Sequence, residues 1–273
     1  MAGERPDWEW YQRAGEEVAA GNLEAAEQIV AAALDAGHLW RVSLLATPAL
    51  HPLQGRPRFE AAAAEARRRA SDRHLAPQVL VATPDRATLA PLLLVLHGAT
   101  GNAATELARW RSATEHGFIV AAAQSSQPAT ADGFCWDPPR DRVWQDLRAI
   151  AGMLPPHARV VVAGFSQGAW IALNLALEGQ VVVARSVVMV APFAGPDRNL
   201  PPAWRRMEVS IVIGEKDTYR DPVERLAEQL KQSDHHVSLE VVPGLGHAYP
   251  ANFVERLAAL LRPVERLAAL LRP

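Results

Sequence analysis

The sequence predicts an α/β protein, in which a mainly parallel sheet of seven or eight strands is flanked by helices and preceded by an all-helical extension. Three observations carry this. From Leu75 onward, short apolar runs alternate with helical stretches, the pattern of a parallel sheet whose strands are joined by helical crossovers. Before that point, about 70 residues show helical spacing and cap residues. The 273 residues, 49% hydrophobic and 21% charged, suffice for one large domain with a small appendage.

The extension, residues 1–73, reads as a helical hairpin followed by a third helix. Asp7 is expected to cap a segment ending near Gly21, and Asn22 to cap a second running to Gly37. In the second, Leu23, Ala26, Val30, Ala33 and Leu34 recur at helical spacing. The stretch Pro57 to Ala70 is rich in Ala, Glu and Arg, and Arg67, Arg68 and Arg69 sit where cations favour a helix C-terminus. The run WYQRAGEEVAAGNLEAAEQIVAAAL resembles one tetratricopeptide-type unit through Trp10, Gly21, Ala26 and Ala33. Such repeats need about three neighbours to bury a continuous core. This unit is therefore expected to lean on the following domain, leaving homo-oligomerisation or a protein partner as the interaction roles open to it.

The larger part, residues 74–263, supplies the sheet. Strands are expected at Val79–Thr83, Leu92–Leu96, Ile119–Ala123, Val160–Ala163, Ser186–Val190, Ser210–Ile213 and Val237–Val242. Helices are expected at Ala103–His116, Asp141–Leu154, Gln167–Glu178, Pro222–Gln232 and Pro250–Leu261. Asp221, Pro222 and Glu224 read as a cap, a first helical position and a capping-box partner. At the C-terminus VERLAALLRP, residues 254–263, repeats unchanged as residues 264–273. Ten residues turn an α-helix by about 1000°, which rotates the second apolar stripe away from the first, and Pro263 opposes continuation. The second copy is expected to be a dispensable tail.

Charge and cysteine content exclude several classes of function. With 28 Lys and Arg against 30 Asp and Glu, and a net charge of -2, there is no positive field to draw the chain onto nucleic acid. The lone Cys135 leaves no internal disulfide and too few thiolates for a structural zinc site. The segment from Met1 to Arg13 carries charges where a secretory signal needs an apolar run. The most apolar stretches, Leu89–Leu96 and Val181–Ala194, fall short of the roughly 20 residues needed to span a bilayer. A cytoplasmic protein without membrane insertion is the expectation.

The sharpest chemical signal is Gly164-Phe165-Ser166-Gln167-Gly168, set directly after an apolar strand and before a helix. A turn this tight forces the central residue into a strained backbone conformation, and the flanking glycines remove side chains that would clash. The serine hydroxyl is presented beside the N-terminus of the helix, where N–H groups and the dipole favour an oxyanion. A serine needs a base within hydrogen-bond reach and a carboxylate to orient that base. His247 lies in the glycine-rich loop Pro243-Gly244-Leu245-Gly246-His247 after the last strand. Asp217 follows the strand SIVIG, at the strand end where open α/β sheets gather functional groups. Glu215 and Asp221 compete with it, but Asp221 is better used as a cap and Glu215 sits close to the strand end.

In the order Ser166, Asp217, His247, and through the motifs LLLVLHGATGN, GFSQGA, GEKD and GLGHAYP, residues from about Leu75 to Leu261 resemble the α/β-hydrolase superfamily. Within it they resemble the carboxylesterase, phospholipase and acyl-thioesterase group. The resemblance implies the α/β-hydrolase fold, a serine esterase acting on a small-molecule ester, and no organic cofactor or metal. It also implies an oxyanion hole from the N–H groups of Ala99 and Gln167, with His97 structural. Acyl-thioesterase or lysophospholipase action with the same triad is the nearest alternative, and a non-catalytic binding scaffold using the helical extension is the alternative from another class. Where many relatives insert a lid between their sixth and seventh strands, only Pro192 to Glu208 is available. The loop Gln124 to Pro139 is longer than usual for such a connection. Trp136, Phe193 and Trp204 are the candidate substrate-binding walls, with Phe134 a further one, and Cys135 reads as filler.

Overall fold

The computed structural model describes residues 6–270, except 39–44, 46, 72–74, 86–88, 131, 138–139, 180, 182–183 and 194–205. Seven strands form one sheet: β1 (Gln78–Ala82), β2 (Leu92–Leu96), β3 (Ile119–Gln124), β4 (Val160–Phe165), β5 (Ala184–Val190), β6 (Glu208–Gly214) and β7 (His236–Val242). Their order in space is β1-β3-β2-β4-β5-β6-β7. Only β1 is antiparallel to its neighbour, pairing Gln78 with Gln124 through Ala82 with Val120. Every other pair is parallel, so the loops after β2, β4, β6 and β7 emerge at one edge.

Helices cover both faces, which is why the central strands read as unbroken apolar runs. Alternate residues of each strand face opposite sides. Leu92, Leu94 and Leu96 of β2 pack with α5 (Arg140–Met153), α6 (Gln167–Glu178) and α7 (Arg220–Gln232). Leu93 and Val95 pack on the other side, with Trp110 of α4 (Ala103–Trp110) and with Phe253 and Leu257 of α8 (Phe253–Leu270). Each such fully buried side chain stabilises the fold by about 1.5 to 3 kcal/mol.

The extension holds α1 (Pro6–Ala19), α2 (Leu23–Asp35), a 3₁₀ turn at Pro48–Leu53 and α3 (Pro57–Ser71). These elements share a small core of their own, with Ala26, Val30, Leu50, Leu53 and Phe59 buried together. Arg56 reaches the buried Glu27 at 2.9 Å, and the Tyr11 hydroxyl lies 2.6 Å from Thr47 Oγ1. The boundary expected after residue 73 falls in 72–74, outside the described residues.

Four local expectations are corrected. Asp7 lies within α1, which already begins at Pro6. Asn22 does sit at the cap of α2, but its side chain donates to Glu17 Oε2 rather than capping the helix. Asp221 lies inside the first turn of α7, which starts at Arg220. Pro222 is tolerated there because the first four N–H groups of a helix have no intrahelical acceptor. The last helix runs on through Pro263 to Leu270, so the continuation that Pro263 was expected to oppose does occur. None of the described helices is long and apolar enough to cross a membrane.

Candidate active site

The loop between β4 and α6 is a very tight turn. Ser166 has φ 50° and ψ -117°, a conformation that non-glycine residues adopt only when surrounding contacts impose it. The glycines on either side make it sterically feasible. A Cβ on Gly164 would lie 2.5 Å from the Gly168 carbonyl carbon, and one on Gly168 would lie 2.2 Å from the Leu96 carbonyl oxygen. The serine is held by its own backbone, its N–H donating to Val190 O and its carbonyl accepting from Phe193 N–H.

Two further loops converge on it. His247 Nε2 lies 2.8 Å from Ser166 Oγ, and His247 Nδ1 lies 2.8 Å from Asp217 Oδ2. With Nδ1–H donating to the carboxylate, Nε2 is free to accept the hydroxyl proton. The Asp217 side chain is 0% exposed against 32% for His247, so the carboxylate is shielded while the imidazole is open to solvent. Asp217 Oδ1 is engaged by the N–H of Tyr219 at 2.9 Å. Of the three carboxylates named from the sequence, Asp217 is the one that meets His247. Glu215 accepts from Gly244 N–H at 2.8 Å and shapes the turn after β7, and Asp221 stays on the first turn of α7.

The loop after β2 reaches the serine from the other side. A Cβ on Gly98 would stand 2.7 Å from Phe165 Cδ1 and 3.3 Å from Ser166 Cβ, so the backbone leading into Ala99 passes directly beside the nucleophile candidate. Gln167 opens α6, so its N–H belongs to the helix end that has no intrahelical acceptor.

His97 is fully buried and does not face the serine. Its Nδ1 donates to Gly98 O at 2.7 Å, and its Nε2 accepts from Ser125 N–H at 3.3 Å. That second bond requires a neutral ring, and burial pushes the imidazole down to about 4. The expectation of a structural His97 agrees with this geometry.

Trp136 does not form a wall of the site. It is 2% exposed, stacks on His97 at 4.9 Å between centroids, and donates its indole N–H to His97 O at 2.9 Å. Its backbone N–H meets the Gln167 side-chain oxygen at 2.8 Å, and the Gln167 amide donates to Asp137 at 3.0 Å. The long loop is thus laced to the two segments carrying Ala99 and Gln167. Phe134 belongs to the same lacing, pairing with Gly101 and Pro128. Cys135 is buried, as expected of filler.

Phe193 is placed beside the site, its ring meeting Tyr219 edge-on at 5.1 Å. Trp204 lies outside the described residues. Tyr219 was not singled out from the sequence, yet it stands 5.4 Å from the His247 ring, which also has Phe165 at 5.4 Å. The one available signal was its place two residues after Asp217. Among the described residues, no three His, Cys, Asp or Glu side chains gather as a metal site.

This geometry can be set beside known proteins. The profile of the family described as Phospholipase/Carboxylesterase matches residues 145–264. No curated protein sequence matches the chain. Among solved structures, an uncharacterized protein from Bacillus cereus ATCC 10987 is similar with a TM-score of 0.60 and 23% identity, covering 96% of this chain and 88% of that one. Esterase PE8 is similar with a TM-score of 0.58 and 16% identity over 70% of this chain and 100% of that one. A Bacillus cereus carboxylesterase is similar with a TM-score of 0.55 and 18% identity, over 68% and 94%. The chain has the α/β-hydrolase fold, and the stretch of it that carries Ser166, Asp217 and His247 is similar to the phospholipase/carboxylesterase family. The 96% coverage by the first structure takes in most of the helical extension as well as the sheet.

Proposed function

We propose that the chain is a serine carboxylesterase working through an acyl-enzyme, with Ser166 as nucleophile, His247 as base and acid, and Asp217 orienting the imidazole. The observation that carries this reading is the unbroken hydrogen-bonded line from the Ser166 hydroxyl through His247 to the buried Asp217. As Ser166 Oγ attacks the ester carbonyl carbon, its proton passes to His247 Nε2, and the carbonyl oxygen gains the electron pair. The N–H groups of Ala99 and Gln167 hold that oxyanion, and losing one such donor costs on the order of 10² to 10³ in rate. Collapse of the intermediate breaks the bond to the alcohol oxygen, which leaves with the proton from His247. Water then repeats the sequence on the acyl-serine and releases the acid.

Thioesters and lysophospholipids are accommodated by the same chemistry, since the machinery is indifferent to the leaving atom. The rings of Phe193 and Tyr219 beside the imidazole supply an apolar surface for the ester. The test is labelling by a serine-directed phosphonate together with turnover of nitrophenyl esters of increasing chain length. Labelling and turnover lost together in Ser166→Ala support the reading. Absent labelling, or labelling that survives the substitution, overturns it in favour of a binding scaffold.

A further inference from the structure

One half-buried ring touches both arms of the site. Tyr249 lies two residues beyond His247, and its ring stacks on Phe165, the residue before Ser166, at 4.7 Å and 18°. Its hydroxyl donates to Glu106 Oε2 at 2.5 Å and accepts from Trp110 Nε1 at 3.0 Å. Glu106 is 2% exposed, on α4. Its other oxygen meets Arg109 at 3.2 Å, and the Arg109 guanidinium lies 4.7 Å over the Tyr249 ring. Phe253 closes the remaining edge of the ring at 4.8 Å. Burial and the adjacent Glu106 hold the Tyr249 phenol well above its ordinary range, so it remains a donor.

A buried carboxylate is retained only when its oxygens are partnered, and nothing in the hydrolytic steps consumes this one. What the arrangement does mechanically is anchor the loop carrying the base to α4, in the helical layer that α4 shares with α8, while the same ring supports the turn carrying the nucleophile. We propose that Tyr249, fastened by Glu106, is a positioning residue that sets the distance between the His247 imidazole and the Ser166 hydroxyl. The proposal rests on the serine-hydrolase reading above. The ring alone leaves a tyrosine free to slide against Phe165, and the bond to Glu106 fixes its depth, hence the height of the backbone at 247.

The test compares Tyr249→Phe, which keeps the stack and removes the hydroxyl, with Glu106→Leu and Glu106→Gln. Each is measured per active site titrated with the phosphonate, so that a smaller folded fraction is divided out. Tyr249→Phe and Glu106→Leu lower kcat per titrated site for a nitrophenyl ester by about tenfold, with KM within about twofold, because reacting atoms are displaced without loss of substrate contacts. Glu106→Gln keeps an acceptor for the Tyr249 hydroxyl and stays within about threefold of the parent. Should Tyr249→Phe not fold, Glu106→Leu supplies the same comparison. Unchanged kcat per site in these variants, or a Gln variant no better than the Leu one, overturns the proposal. Failure of the parent protein itself to be labelled at Ser166 overturns the hydrolase reading instead.

Discussion

Replacing Ser166 by glycine is expected to raise stability while abolishing hydrolysis. At φ 50° and ψ -117° a non-glycine residue costs about 1 to 3 kcal/mol. Ser166→Ala removes the hydroxyl but keeps that strain, because the clash comes from the Cβ. Ser166→Gly releases it and loses about 0.5 to 1 kcal/mol through greater freedom of the unfolded chain. The glycine variant should therefore exceed the alanine variant by about 1 kcal/mol. For a chain of 273 residues that corresponds to roughly 2 °C in Tm. Urea unfolding of both variants beside the parent measures the difference, and phosphonate labelling confirms that both are inert. A glycine variant less stable than the alanine variant would refute the reasoning, since the turn would then carry no strain to release.

Three other outcomes follow from the same geometry. Asp217→Asn preserves shape and the bond from Tyr219 but removes the acceptor for His247 Nδ1–H, so kcat falls by about 10³-fold or more with little change in Tm. Gly168→Ala drives a Cβ to 2.2 Å from the Leu96 carbonyl oxygen, and with rigid backbone on both sides it lowers stability by about 3 kcal/mol or prevents folding, read by soluble yield and Tm. Burial holds His97 near 4 against its ordinary 6.5. The unfolded chain therefore takes up that proton first, and stability present above pH 6.5 is lost as pH falls towards 4, at about 1.4 kcal/mol per pH unit. His97→Gln, compared with the parent by urea unfolding between pH 7 and 5, loses stability less steeply, and parallel curves would count against a buried neutral ring.

Much of the fold was legible because its signals are local. The apolar runs that became β2, β4 and β6 are bounded by turn residues, and helix α6 matches its expected limits because a strained serine and a glycine delimit it. Capping was less legible. Asp7 and Asp221 have the residue type of a cap, but α1 begins at Pro6 and α7 at Arg220, so each falls within its helix. The continuation of α8 through Pro263 likewise went against local propensity.

Residue order and turn chemistry were enough to nominate Ser166, His247 and a short list of acids, since each sits at a strand end whose position in a parallel sheet is dictated by topology. Which acid meets the imidazole was a tertiary outcome. Glu215, Asp217 and Asp221 lie within seven residues of one another, and only the approach of the loop after β7 placed one of them 2.8 Å from His247. The same holds for Trp136, whose aromatic ring was compatible with a pocket wall until packing buried it against His97. It holds most of all for Glu106 and Tyr249, which lie 143 residues apart in the chain. Periodicity and turns depend on neighbours a few positions away, whereas a contact between distant side chains depends on how whole layers close over the sheet.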